Sequence, residues 1–122
     1  MLLKDLGITK VTAPLNEGDY AVTLSHMEHV SNEEGGYINV HFTVNQDGRE
    51  ESMIFWPRTE KNDIPYAFDF KHLARKLGKD IDTNKDINAQ IKGKVITLYF
   101  SHGYTKDKVY YDRLQWQHYK GR

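Results

Sequence analysis

The chain has no cysteine and only three prolines in 122 residues. Without thiols there is no disulfide framework and no thiolate nucleophile, and the composition fits a reducing compartment. No basic N-terminal segment leads into a sustained apolar run, and no stretch approaches the roughly 20 apolar residues of a membrane span. A soluble, cytoplasmic protein is expected. Net charge is missing too, since 17 basic residues balance 17 acidic ones. Proteins that hold duplex nucleic acid mainly by electrostatics are usually basic overall, so that class is disfavoured. Catalytic signatures are equally scarce. There is no Gly-x-Ser-x-Gly, no phosphate-cradling glycine loop, and no carboxylate pair placed by spacing in a defined pocket. No enzyme is expected.

Two patterns suggest metal and then fall short. Asp80-x-Asp82-x-Asn84-x-Asp86 begins like a calcium loop, but the sixth and twelfth positions are Lys85 and Ile91. Such a loop needs glycine at six for its turn and a bidentate glutamate at twelve. His26 and His29 are three apart, which on a strand puts them on opposite faces unless a bulge intervenes. A third ligand is also required, and His41, His72, His102 and His118 fall on separate elements. No metal and no cofactor is expected.

What is present is an uneven distribution. From Lys92 to Arg122 there are seven basic residues and two acidic ones, a surplus of five, so residues 1–91 carry the opposite balance. Seven of the fifteen aromatic residues lie between Tyr99 and Tyr119. This segment also holds the central pattern of the chain. Lys94–Ser101 alternates Ile96, Leu98 and Phe100 with Val95, Thr97, Tyr99 and Ser101, the period of a half-buried strand. His102–Lys108 reads as a polar loop and Val109–Trp116 as the return strand.

Upstream, 1–17 reads as an arm crossing the domain, as a short edge strand, or as a helical turn of Leu2, Leu3 and Leu6 contacting a second copy. A long first strand covers Tyr20–Val30, with Tyr20, Val22 and Leu24 inward and a coil or bulge past Ser25 where alternation lapses. Ser31–Gly36 is a connection. Tyr37–Val44 is the cleanest strand, with Ile38, Val40, Phe42 and Val44 inward and Tyr37, Asn39, His41 and Thr43 outward. Asp47-Gly48 is a hairpin signal that pairs it with a third strand, Arg49–Trp56, which Pro57 ends. Asp63–Leu77 is the one helix expected, with Asp63 as N-cap, Pro65 in the first turn, an apolar stripe from Tyr66 to Leu77 and Gly78 as its stop. Lys71, Arg75 and Lys76 suit the negative end of its dipole. Lys79–Lys92 reads as a polar connection.

Three strands, a helix and two strands make a mainly β domain over 18–116, followed by a short basic tail at 117–122. That is the element order of a five-stranded OB-fold barrel with one α-helix between strands 3 and 4. A different five-stranded barrel or a sandwich has the same order. On GYINVHFTV, the strand end IFWP and the closing YTKDKVYYDRLQW, Gly18–Trp116 resembles the phage-type single-stranded DNA-binding proteins. The resemblance implies a sequence-non-specific binder acting in DNA replication or recombination. Its partners would be single-stranded DNA or RNA, other replication or recombination proteins, and a second copy as a dimer. Bacterial homologues end in an acidic tip, whereas His-Tyr-Lys-Gly-Arg closes this sequence, so recruitment by that route is not expected.

Unpaired bases stack on flat rings while cations follow the phosphates. Tyr37, His41, Trp56, Tyr99, Tyr104 and Tyr111 are the expected rings, with Asn39 among them. Arg49, Lys94, Lys106, Lys108 and Arg113 are the expected cations. Trp56 and Tyr99 are also candidates for the core or a dimer contact. A protein-interaction or phage assembly module using the same aromatic face is the alternative, and an oligosaccharide-binding barrel a third.

Overall fold

β-Branched and aromatic residues in alternation build the longest element, β1, over Gly18–Val30. A computed structural model describes residues 1–11, 13, 15–33, 35–58, 64–104 and 110–116, with 102–104 and 110–115 described by backbone alone. β2 follows at Tyr37–Val44, β3 at Glu50–Phe55, β4 at Val95–Tyr104 and β5 at Tyr110–Gln115. The sheet order is β3-β2-β1-β4-β5, antiparallel at every pairing. β1 is central because its two halves use different edges. Gly18–Thr23 pairs with β4 and Val22–Val30 with β2. The protein is thus mainly β, its first four strands forming a curled half-barrel.

The expected bulge in β1 is present. The register against β2 shifts between Leu24 and His26, so Ser25 is the extra residue. The phase of alternation therefore switches, and Met27 rejoins Val22 and Leu24 in the core. One residue out of register would otherwise turn Met27 to solvent.

Helix α1 occupies Ala67–Leu77, shorter at its start than expected. The expected N-cap, Asp63, lies outside the described residues. Pro65 stands in a turn closed by Ala67 N–H on the Ile64 carbonyl at 3.1 Å, and Tyr66 takes a left-handed backbone, φ 67°. Such a backbone is incompatible with continuing helix through Tyr66, so α1 begins only at Ala67. Gly78 ends α1 in the left-handed conformation, as anticipated. A second helix, α2, at Ile87–Ile91 corrects the reading of 79–92 as plain connection. Asp86 caps it by accepting the Ala89 N–H at 3.0 Å. Among the described residues, the short α2 thus joins α1 between β3 and β4.

The core lies in the concavity of the sheet. Val22, Leu24, Val40, Phe42, Val44, Phe55 and Leu98 are essentially inaccessible, and Leu73 of α1 and Ile91 of α2 close the open side. Phe55 stands edge-on to Phe70 of α1 (5.3 Å) and tilted against Trp116 (5.4 Å), so one ring ties β3 to the helix and to the end of β5. Gly36, at φ 94°, immediately precedes β2, where any Cβ would run into the Val30 carbonyl oxygen.

Candidate nucleic-acid interface

The outer face of β1, β2 and β3 follows directly from the register. Glu28 lies beside Asn39 and Asn39 beside Ile54, while His26 lies beside His41 and His41 beside Ser52. One step beyond the last rung, Tyr37 meets Trp56, ring centroids 5.5 Å apart and tilted by 51°. Trp56 is 47% exposed although Phe55, its neighbour in sequence, is fully buried. Strand alternation sends the Phe55 ring inward and the Trp56 ring out. Trp56 is therefore surface rather than core, and Tyr37, Asn39, His41 and Trp56 share one face.

A buried carboxylate fixes the strand end under Trp56. Asp69, 1% exposed, accepts the Trp56 backbone N–H on Oδ2 at 3.1 Å. Its Oδ1 takes the Trp116 indole Nε1–H at 3.1 Å and Arg58 Nη2 at 3.4 Å. The guanidinium of Arg58 lies 4.3 Å over the Phe68 ring and the side chain stays 54% exposed. Beside this cluster His72 stacks on Trp116, centroids 5.7 Å apart at 14°. Burial pushes the His72 imidazole below its ordinary pKa, with positive charge on Arg75, Lys76 and Arg58 adding and the Asp69 charge opposing.

Further along β2 the face becomes acidic and histidine-rich. His41 pairs with Glu28 at 2.9 Å and stacks on His26 at 4.5 Å and 16°, while His26 Nδ1 pairs with Ser25 Oγ at 2.9 Å. The hydrogen bond with His41 holds the Glu28 carboxyl below its ordinary pKa, against some desolvation. Sequence reasoning set His41 apart from His26, but strand pairing brings them together. Among the described residues no group of three or more such side chains could hold a metal ion. A cavity of about 120 Å³ opens here between His26, His41, Thr43, Glu50 and Glu51. Asn39 Oδ1 is buried and finds no donor among the described residues.

Comparison with protein-family models, with curated proteins and with solved structures finds no match. The geometry of the face is thus what bears on function.

Among the described residues, the expected cations Arg49 and Lys94 do not join it. Arg49 is engaged elsewhere, its Nε on Asp47 at 2.8 Å and its Nη1 on the Ala13 carbonyl at 2.9 Å. It fastens the N-terminal arm to the β2–β3 turn. Lys94 is exposed where α2 hands over to β4, its carbonyl accepting the Leu24 N–H at 2.8 Å. Tyr99, half-buried, lies opposite Asp19 and Gln115, on the other flank of β1. β4 extends through Tyr104 into the stretch read as a loop, so Tyr104 occupies a ladder position opposite Tyr110; on β5, Tyr111 stands opposite Gly103 and Arg113 opposite Ser101. Antiparallel pairing continues to Tyr104 and Tyr110, where each strand satisfies the other's backbone. Lys106 and Lys108 lie outside the described residues. Arg58 and Asp69 were missed by sequence reasoning. Asp69 had a visible signal, since it falls three after Tyr66 and four before Leu73, an acid on an apolar stripe.

Proposed function

We propose that the protein is a non-catalytic, sequence-non-specific binder of single-stranded DNA, built as an OB-fold barrel and acting in phage-type replication or recombination in the cytoplasm. The observation that carries the reading is the Tyr37–Trp56 pair, two rings held side by side on an outer sheet face with the indole half exposed. Rings so placed offer planes to unpaired bases, and stacking tolerates any base because every base has a π-face. The barrel is supported by strand order. β3 and β5 are the two edges of the sheet, they approach one another, and Phe55 against Trp116 bridges the seam. Single-stranded RNA offers the same bases to the same rings.

Titration with oligo-dT should quench the Trp56 emission. Trp56→Ala and Tyr37→Ala should each weaken binding by about five- to a hundredfold, the equivalent of about 1–3 kcal/mol per stacked base. Unchanged emission at saturating oligonucleotide, with folding verified, would overturn the proposal.

A second reading, a protein-interaction module, is favoured by a different observation. Residues 1–11 form an arm with a 3₁₀ turn at Leu3–Leu6 that buries nothing, leaving Leu2 57%, Leu3 50%, Leu6 59% and Val11 76% exposed. Clustered apolar exposure of this kind suits a protein contact, with a second copy or with another replication or recombination protein.

A further inference from the structure

We infer that Arg58 is the phosphate-contacting cation of the Tyr37–Trp56 platform, an assignment that rests on the single-strand reading above. The guanidinium and the Trp56 backbone N–H bind the two oxygens of one carboxylate, that of Asp69. The cation is therefore fixed to the same anchor as the strand end that carries the ring. Its planar group lies against Phe68 at 4.3 Å, and 54% of the side chain faces solvent. Arginine presents five donors in a rigid fork, and the contact to Asp69 at 3.4 Å uses one of them. A side chain held by ring and carboxylate loses little freedom when it meets a phosphate, which is what preorganised recognition requires.

Charge balance on the face points the same way. Glu28 and Glu50 make its other end acidic, and Arg49 is committed to Asp47 and the arm. A backbone phosphate next to a base on Trp56 would therefore be drawn toward the Arg58 end. A strand laid across the platform has a polarity: bases over Tyr37 and Trp56, phosphates toward α1.

The test uses the full chain and a dT oligonucleotide, with Kd measured by indole quenching between about 50 and 400 mM salt, where each phosphate contact to a single strand contributes about 0.7 to the log–log slope. Arg58→Gln should lower the slope by about 0.7 while the quench at saturation is retained. Arg58→Lys should keep the wild-type slope, because the charge is preserved. Should Arg58→Gln fail to fold for want of a partner to Asp69, the charge-balanced R58Q/D69N pair carries the same measurement. A wild-type slope in the folded, uncharged variant overturns the assignment and leaves the stacking platform standing. If the wild-type protein itself neither binds nor quenches, the platform reading fails and this inference with it.

Discussion

Asp69 concentrates more of the structure than any residue a pattern search would select. Three donors from two segments converge on it, namely Trp56 N–H and Arg58 after β3 and Trp116 Nε1–H after β5. Removing this acceptor strands the buried Trp116 Nε1–H and the part-buried Trp56 N–H, at about 1–3 kcal/mol for an unsatisfied buried group, while Arg58, largely exposed, is rehydrated. Asp69→Ala is therefore expected to lose stability on that scale in urea unfolding. Asp69→Asn, which keeps one acceptor oxygen for Trp116, should lose less. His72, one turn along α1, makes a prediction in pH. In the unfolded chain it titrates near its ordinary 6.5, and in the fold, where burial disfavours the charge, lower. Between those two values the unfolded chain takes up a proton that the folded one declines, so stability falls as pH drops through that window and levels off below it. His72→Gln should flatten unfolding free energy over that range. Glu28 acts in a separate window. Its lowered carboxyl contributes stability above its ordinary 4.5 that is lost as pH falls through the depressed value. The two losses are thus separable in an acid titration.

At the scale of the element, the upper half of β1 raises a hydrogen-bonding question. Beyond Thr23 it has no β4 partner, so that edge would present unpaired backbone. α2 answers it with one side chain. Asn88 accepts the Met27 N–H on Oδ1 at 2.7 Å and donates Nδ2 to the Met27 carbonyl at 3.2 Å, imitating a strand. Leu24 is served by the backbone on either side of the α2 stop, donating to the Lys94 carbonyl and accepting the Gly93 N–H, each at 2.8 Å. Asn88→Ala strands both Met27 groups, and unsatisfied buried groups cost about 1–3 kcal/mol each. Hydrogen exchange should report it locally, as faster exchange of the Met27 amide with the β1–β4 ladder unaffected. Equal loosening of both edges would show that the bulge, not Asn88, sets the stability of this half.

At the scale of the molecule, the arm and the body are energetically distinct. Leu15 is in the core at 5% exposure, Tyr20 Oη donates to the Asn16 carbonyl at 2.7 Å, and Arg49 holds Ala13, whereas 1–11 bury nothing. Deleting 1–11 should change unfolding free energy by no more than about 0.5 kcal/mol, while Leu15→Ala costs about 2–5 kcal/mol. Sedimentation of the truncated chain then separates the two functional readings. Lost self-association with oligo-dT binding intact assigns the arm to protein contact and the sheet face to the nucleic acid. Among the described residues no helix is long and apolar enough to cross a membrane.

Short-range physics was legible in the sequence. Period-two alternation identified strands in all five places and the inner faces of β1, β2 and β4, from Val22 and Leu24 to Ile96, Leu98 and Phe100, because burial on one side of a pleat leaves that trace whatever the neighbours are. The lapse past Ser25 announced the bulge, and Asp47-Gly48 the β2–β3 turn. Long-range partnership left no such trace. Which cation meets which acid depends on contacts between residues far apart in the chain, so Arg49, chosen for the interface, is spent on Asp47 and Ala13, and Arg58, passed over, stands with Trp56 on Asp69. The same holds for His26 against His41 and for Asn88 against Met27. Side-chain periodicity is written along one strand, whereas the pairing of polar groups exists only once the strands and helices are packed.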